Sequence, residues 1–198
     1  VKFSVRRLKH VLRAKAVLCP RLTVNFTNEH TGETDSWYFE DGLRDYLLEN
    51  LSEYDRIPEK PFIGHQEGKE EVVSWAVIWL PEQGQMIAES YVNLIPTTLG
   101  GTHVNGFRSG LLAAVREFCE FRNLIPRGIK LAPDDIWDKC SYVLSAKMND
   151  PQFSGQTKER LGSRQFASFL ITLHPDVSQT CPKTMAPETM SIGRGSTN

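Results

Sequence analysis

The sequence predicts an α+β fold in which helices pack on a largely antiparallel sheet. Two β-rich segments, residues 22–39 and 72–95, are each interrupted by turn residues and predict two hairpins. A third segment, ending near Asn123, repeats large apolar side chains at steps of three and four and predicts one long helix. The predicted order is helix, hairpin, helix, long hairpin, long helix, strand and helix, with no internal repeat.

The N-terminal part reads as a helix followed by a short hairpin. Apolar residues recur with approximate three-four spacing over residues 3–18, and Pro20 ends that predicted helix. Residues 22–26 alternate apolar and polar side chains, and residues 36–39 return as a second strand. Between them, residues 28–32 supply the turn.

A second helix and a linker follow. Asp41 is a predicted N-cap for a helix over residues 42–51. The polar segment 55–60 ends at Pro61 and is predicted to be a linker loop.

The middle of the chain contains the strongest patterns. Residues 72–80 and 86–95 are β-rich and aromatic, and the turn at 81–84 between them predicts a second, longer hairpin. A polar bend at residues 97–101 precedes the long helix. The apolar stripe of that helix consists of Val104, Phe107, Leu111, Val115, Phe118 and Phe121.

The C-terminal part contains shorter elements. Pro133, followed by two aspartates, opens a short helix, and residues 142–148 form a predicted strand. A loop over residues 150–155 follows, and Ser163 is a predicted cap for one further helix. Residues 170–198 show neither period and are predicted to form a disordered tail.

Length and composition indicate an ordinary globular chain. The chain has 198 residues, which is enough for one domain or a tight pair, and 24% of them are charged. Its longest apolar-rich run, residues 72–80, is too short for a bilayer that needs about 20 residues. No basic, apolar leader opens the chain, so a secretory signal is not predicted. The first residue is Val1, which is expected of an excised fragment or a truncated reading frame.

The net charge of −1 conceals a local imbalance. Residues 1–28 contain seven lysines and arginines but no acid, and the first acid is Glu29. This stretch is either a positive surface that attracts phosphate or a solvated helix face whose balancing acids lie elsewhere in the fold. The four cysteines are too far apart in sequence for a zinc knuckle or a redox pair, and reduced, buried thiols are expected.

The sequence contains no recognisable catalytic constellation. Phosphate-binding, nucleophile-elbow and zinc-protease motifs are all missing from it. Its five histidines occur singly and are expected to be structural, while the adjacent pairs Glu70-Glu71 and Asp134-Asp135 are expected to be solvated or capping carboxylates. No metal ligands and no catalytic residues are predicted, and the chemistry alone indicates a binding or coupling module.

Two segments nevertheless have functional potential. The first reads GGTHVNGFR at residues 100–108, where paired glycines permit a close backbone approach before a helix N-terminus that favours anions. The second reads DPQFSGQTK at residues 150–158, where a lysine on a proline- and glycine-bearing loop could reach a phosphate. The alternatives are an ordinary strand-to-helix turn and an exposed loop lysine.

Taken together, the motifs resemble the B subunit of bacterial topoisomerase IV, a type IIA DNA topoisomerase. The resemblance covers about residues 1–169 and rests on YVNLIP, GGTHVNGFRSGLLAAVREFCEFRN and DPQFSGQTKERL, in the order of the family. The B subunit of gyrase shares GGTH, GFR and the QTK motif and is the nearest alternative. The stretches EFCEFRNLIPRGIKLAPDDIW and CSYVLSAKM are more similar to topoisomerase IV.

The resemblance implies a domain and a fold. Residues 1–169 correspond to the transducer, which is the second domain of the family's B chain, and residues 170–198 match nothing in the family. The transducer is an α/β sandwich similar to ribosomal protein S5 domain 2, with a left-handed βαβ crossover, a rare connection.

The resemblance also implies a site. The family lysine that meets the γ-phosphate of ATP falls on Lys158, its neighbouring glutamine contact falls on Gln156, and Thr157 between them is a supporting loop residue. An arginine that lines the DNA cavity in the family falls on Arg108. Most contacts to ATP and Mg²⁺ belong to an N-terminal ATPase domain that is not in this chain, so this fragment alone is expected to be inactive.

The implied function is coupling of ATP binding and hydrolysis to DNA strand passage, with decatenation, relaxation and chromosome segregation as the outcome. The implied partners are duplex DNA without sequence preference, the A subunit of topoisomerase IV, and a second copy joined through the N-terminal ATPase domain, in the bacterial cytoplasm and away from membranes. The alternatives are a gyrase B transducer, an S5-like module that only binds nucleic acid, and an inactive remnant.

Overall fold

A computed structural model describes residues 4–82, 84–126 and 130–171. In order along the chain, its elements are α1 (Val5–Leu18), β1 (Val24–Asn28), β2 (Glu33–Trp37), α2 (Leu43–Asn50), β3 (Ile57–Glu67), β4 (Glu71–Trp79), β5 (Ala88–Val92), β6 (Ile95–Pro96), α3 (Thr102–Phe121), α4 (Pro133–Trp137), β7 (Cys140–Met148) and α5 (Arg164–Ile171). None of the described helices combines the length and the apolar character that crossing a membrane requires. The predicted tail starts two residues too early, because Leu170 is buried in the core and Ile171 ends α5; from position 172 onward it lies outside the described residues.

The main sheet has five strands in the order β3-β4-β7-β5-β6. Three of its pairings are antiparallel, and only β5 and β7 run parallel. Parallel neighbours require a crossover, and α3 and α4 supply it. This mixed α/β arrangement confirms the predicted fold class, including the βαβ unit that the resemblance implies.

The apolar run over residues 72–80 is explained by burial on both faces of the sheet. Alternate side chains of β4 point to opposite faces. Val73, Trp75 and Val77 pack in one buried cluster with α3, α4 and α5, whereas Ala76 and Ile78 pack in the other with α1 and α2. The sheet therefore lies between two helical layers, and β4 lacks the polar alternation of a half-exposed strand.

The predicted long hairpin is wrong, although both of its strands exist. β4 pairs with β3 and β7, and β5 lies on the far side of β7. The hairpin partner of β4 is β3, in the register Glu67↔Val72. β7 is buried along most of its length, as suits a central strand. It lies between β4 and β5, which are close in sequence but do not pair.

Three local predictions also need correction. Residues 55–60 are not simply a linker, since β3 begins at Ile57 on the sheet edge, where prolines that lack an N–H are tolerated. Asp41 does not cap α2; Gly42 occupies the N-cap position, and the Asp41 N–H donates to the Asp45 carboxylate. Phe121 does not belong to the buried stripe of α3, because it lies at the last turn and is 81% exposed.

The other predicted elements are confirmed with shifted ends. α1 and α2 fall within one or two residues of their predicted bounds, and α3 starts directly after the predicted bend. α4 begins at Pro133, as its helix-start signal indicates. Of the four cysteines, Cys19, Cys119 and Cys140 are described; Cys119 and Cys140 are buried, as expected, whereas Cys19 is only half-buried.

Candidate functional site at the junction of two loops

The two segments that have functional potential in the sequence meet in the structure. The second of them belongs to a loop over residues 150–161, which we call the QTK loop. The Leu99 N–H donates to the carbonyl of Glu159 at 3.0 Å, and the Leu161 N–H donates to the carbonyl of Gly100 at 3.1 Å. The Thr102 N–H then donates to the carbonyl of Leu161 at 3.0 Å. The start of α3 and the end of the QTK loop therefore run side by side, and we call this contact the loop junction (residues 99–102 and 159–161).

Gly101 makes this close approach possible. Its φ of +137° lies in a region that residues with a side chain rarely adopt. A Cβ at this position would lie 2.3 Å from the carbonyl oxygen and 2.6 Å from the backbone nitrogen of Leu161. The paired-glycine signal therefore reflects backbone packing against the QTK loop rather than an ordinary strand-to-helix turn.

The QTK loop is itself a narrow excursion closed at its base. The Gly162 N–H donates to the Gln152 carbonyl at 2.7 Å, and the Ser154 N–H donates to the Arg160 carbonyl at 2.8 Å. Phe153 also bridges antiparallel to Leu161, whose side chain is 1% exposed. The base of the loop is thereby held by the core, while the tip, residues 155–158, projects into solvent.

Lys158 lies at this tip and is exposed. Its Nζ is 5.8 Å from the centroid of the Phe153 ring, a cation–π contact. Its backbone has a φ of +58°, which is uncommon for a residue with a Cβ. Among the described residues Lys158 has no ion-pair partner, so its charge is available to an anion.

The other two predicted loop residues behave differently from each other. Gln156 is exposed beside Gly155, whose φ is +91°. The Thr157 hydroxyl donates to Glu159 Oε2 at 3.1 Å, which holds the loop tip to its own base. All three residues are therefore exposed at one loop tip, and Thr157 is the one whose side chain is hydrogen-bonded to Glu159.

A buried polar network supports the other side of the loop junction. The Thr97 hydroxyl lies 3.0 Å from His103 Nε2 and 2.7 Å from the Ser90 hydroxyl. His103 is fully buried, and burial lowers its pKa to about 4. The histidine is therefore neutral at physiological pH, in agreement with the structural role predicted for a lone histidine.

Arg108 lies on α3 away from the loop junction. Its guanidinium carbon is 4.9 Å from the centroid of the Trp137 ring in α4, and the residue is exposed. Stacking on Trp137 orients the guanidinium without neutralising it. The two cations therefore rest on different aromatic rings, Arg108 on Trp137 of α4 and Lys158 on Phe153 of the QTK loop.

The acid-free stretch at the N-terminus is partly balanced within the fold. Lys9 pairs with Glu33 at 2.5 Å and with Asp35 at 2.8 Å, and hydrogen bonding to Asp35 and Glu33 raises its pKa. Arg13 pairs with Glu49 at 3.2 Å. The balancing acids come from β2 and α2, which supports a solvated helix face rather than a dedicated phosphate surface.

The described residues contain no group of three histidine, cysteine, aspartate or glutamate side chains arranged to hold a metal ion. Sequence reasoning missed Thr98 and Glu159, which join the two loops. Neither has a motif signature, because their role depends on which two loops the fold brings together. The paired glycines were the available signal, since they indicate a close backbone approach without naming its partner.

Comparison with protein families assigns this architecture to a class. The family model described as DNA gyrase B matches residues 42–178, and the chain therefore belongs to the DNA gyrase B family. Within that class, the chain is 64% identical over 169 residues to the B subunit of DNA topoisomerase 4 from Pseudomonas aeruginosa and 60% identical over 169 residues to the Escherichia coli K12 protein of the same name. These matches cover 85% of this chain and 27% of each relative, so the chain spans about a quarter of their length.

Solved structures agree with this assignment. The topoisomerase IV ATP-binding domain of Francisella tularensis, solved with a small-molecule inhibitor, superimposes with a TM-score of 0.80 at 33% identity. The match covers 97% of this chain and 52% of that one. The 43K ATPase domain of Thermus thermophilus gyrase B, in complex with an aminocoumarin, has the same fold, with a TM-score of 0.82 at 22% identity over 97% of this chain and 52% of that one. The resemblance to the B subunit of topoisomerase IV is thus confirmed.

Proposed function

We propose that residues 1–169 are the transducer of an ATP-hydrolysing type II DNA topoisomerase, within a B subunit of the topoisomerase IV kind. In this role the domain couples ATP binding and hydrolysis to DNA strand passage, and so to relaxation and decatenation in chromosome segregation. The segment after α5, residues 172–198, is proposed to lie outside the transducer. The identity of 60–64% to topoisomerase IV relatives favours this enzyme over gyrase.

The proposal rests on one observation: Lys158 is exposed, has no ion-pair partner within the described part of the chain, and stands on a loop whose base is hydrogen-bonded to the start of α3. A cation at the γ-phosphate stabilises the charge that accumulates during phosphoryl transfer. ADP has no γ-phosphate, so Lys158 contacts the two nucleotide states differently. The QTK loop is hydrogen-bonded through its backbone to the start of α3. The loss of the γ-phosphate contact can therefore shift the position of α3 and of the sheet on which it packs.

The remaining parts of the reaction are assigned outside this chain. Adenine, most of the triphosphate and Mg²⁺ are proposed to be bound by a separate ATPase segment, to which this chain contributes Lys158 and Gln156. The proposed partners are the A subunit of topoisomerase IV, duplex DNA, and a second copy that joins through that ATPase segment in the bacterial cytoplasm. Arg108 is proposed to face the captured duplex, where it contacts phosphate without base specificity.

The direct test is ATP turnover by a chimera. Residues 1–169 replace the matching 169-residue segment of the Pseudomonas aeruginosa relative, with Lys158 or with Lys158→Ala. We expect kcat/KM for ATP to fall at least tenfold in the alanine variant, a change of about 1.4 kcal/mol in the barrier. Lys60→Ala, which removes another exposed lysine, is the matched control and is expected to leave turnover unchanged.

Equal turnover in the Lys158→Ala variant and its parent would contradict the proposal and reduce the chain to a scaffold or a nucleic-acid-binding module. The isolated 198-residue chain is expected neither to bind ATP tightly nor to hydrolyse it, because one lysine and one glutamine do not make a nucleotide pocket. Calorimetric titration that gave micromolar ATP affinity for the chain alone would refute this expectation.

A further inference from the structure

Glu159, which directly follows the tip of the QTK loop, differs from the neighbouring residues in its burial and contacts. Residues 154–158 and residue 160 are exposed, whereas Glu159 is half-buried. Its two carboxylate oxygens accept from different loops: Oε1 from the Thr98 hydroxyl at 3.4 Å, and Oε2 from the Thr157 hydroxyl at 3.1 Å. Its backbone carbonyl accepts from the Leu99 N–H at 3.0 Å. One residue therefore ties the tip of the QTK loop to the turn before α3.

The same contacts keep the carboxylate away from its neighbour Lys158. A glutamate directly beside a lysine is an available ion-pair partner, and such a pair would lower the positive charge that an incoming phosphate meets. Here each carboxylate oxygen instead accepts from a hydroxyl group, no ion pair joins Glu159 to Lys158 among the described residues, and the Lys158 ammonium lies over Phe153. Lys158 also has an uncommon backbone conformation, which persists only where its surroundings hold it.

We propose that Glu159 is a positioning residue for Lys158. Its carboxylate clamps Thr98 and Thr157 together and so fixes the backbone of the intervening Lys158 with the ammonium free for phosphate. This inference rests on the proposed function of Lys158 and adds a second residue to it. Thr98 adjoins Thr97, which is hydrogen-bonded to the buried Ser90 and His103, so the clamp connects the loop tip to β5 and α3.

The clamp acts through hydrogen-bond geometry, which separates it from a role based on charge. Glutamine in place of Glu159 retains the shape and can exchange hydrogen bonds with both threonine hydroxyls, whereas alanine removes both bonds. In the chimera we expect Glu159→Ala to lower kcat/KM for ATP at least fivefold. Glu159→Gln is expected to retain at least half of the parent value, and Thr98→Val is expected to fall between the two.

Two further measurements separate positioning from general stability. A double-mutant cycle is expected to show that Glu159→Ala lowers kcat/KM less than twofold when Lys158 is already alanine, because both changes then remove the same contact. Binding of a non-hydrolysable ATP analogue is expected to weaken in Glu159→Ala, whereas ADP affinity stays within twofold. Glu53→Ala removes an exposed glutamate elsewhere and is the matched control.

Each unfavourable result has a defined meaning. Full additivity with Lys158→Ala, an equal loss in Glu159→Gln and Glu159→Ala, or an equal loss of ADP affinity would overturn the positioning role. If Glu159→Ala unfolds the chimera, Thr98→Val carries the same cycle with Lys158→Ala and the same criteria. If Lys158→Ala itself has no effect, the proposed function fails, which is distinguishable from a failure confined to Glu159.

Discussion

Replacing Gly101 with alanine tests the loop junction directly, because the structure gives the geometry of the clash. The added Cβ lies 2.3 Å from the Leu161 carbonyl oxygen, 2.6 Å from its nitrogen and 2.9 Å from its Cα. All three are backbone atoms and have no side-chain freedom with which to retreat. The φ of +137° adds a conformational penalty that any L-residue incurs here. The two segments of the loop junction, residues 99–102 and 159–161, therefore have to separate.

The size of the effect follows from these two costs. An unfavourable backbone conformation costs roughly 1–3 kcal/mol. Separation removes the Leu161 N–H bond to Gly100 and the Thr102 N–H bond to Leu161, each worth about 0.5–1.5 kcal/mol net. The free energy of unfolding is thus expected to fall by about 2–6 kcal/mol. For a chain of this size, that lowers Tm by roughly 4–24 °C.

Urea and thermal unfolding of the 198-residue chain, followed by circular dichroism, measure this change. Gly155→Ala is the matched control from the same loop, with a φ of +91° and no atom within 4 Å of its added Cβ. It incurs the conformational penalty without the clash, so Gly101→Ala is expected to be the more destabilised by about 1–3 kcal/mol. Equal losses in the two variants would refute the claim that close backbone packing explains the paired glycines.

Two further predictions concern His103 and Arg108. Burial lowers the pKa of His103 from 6.5 to about 4, so at acidic pH the unfolded chain binds this proton more readily than the folded chain does. The free energy of unfolding is therefore unaffected by this histidine above pH 6.5 and falls as the pH drops toward 4. Between pH 7 and pH 5 the free energy of unfolding falls by about 2 kcal/mol for this reason. Urea unfolding measured over this pH range should show a shallower pH dependence for His103→Gln than for the parent chain. An unchanged pH dependence would contradict the prediction. In the chimera, Arg108→Gln is expected to remove one phosphate contact, weaken duplex binding and reduce the slope of log affinity against log salt by about one. The control Lys60→Gln is expected to leave that slope unchanged. A loss of affinity restricted to particular DNA sequences would contradict a phosphate contact.

Local periodicity was enough to predict most elements, but not their pairing. The three-four stripe of α3 reports burial along one face, and four of its six members are buried. The order of the sheet depends instead on contacts between distant segments: β7, about 60 residues after β4, inserts between β4 and β5. The turn at residues 81–84 looks like a hairpin turn because turn chemistry is local, whereas strand insertion leaves no local signal.

The candidate site shows the same division. Lys158, Gln156 and Arg108 follow from motifs and the resemblance, and their roles stay predictions. Glu159 and Thr98 carry no such signal, because a half-buried carboxylate between two hydroxyls is defined only by the fold. The glycine pair lies between these cases: sequence indicates that backbone comes close, and structure supplies Leu161 as the partner.

The loop junction gives the proposed function a structural route from Lys158 into the domain. A flexible loop would absorb a phosphate contact locally, because its residues could move without disturbing any other element. The QTK loop instead has a closed base, and three backbone hydrogen bonds connect residues 159–161 to the start of α3. A displacement of the QTK loop therefore has to disturb hydrogen bonds to Leu99, Gly100 and Thr102 as well. Under the proposed function, Gly101→Ala in the chimera should therefore lower strand passage more than ATP turnover, whereas Lys158→Ala should lower both; equal losses of turnover and strand passage in Gly101→Ala would contradict this route.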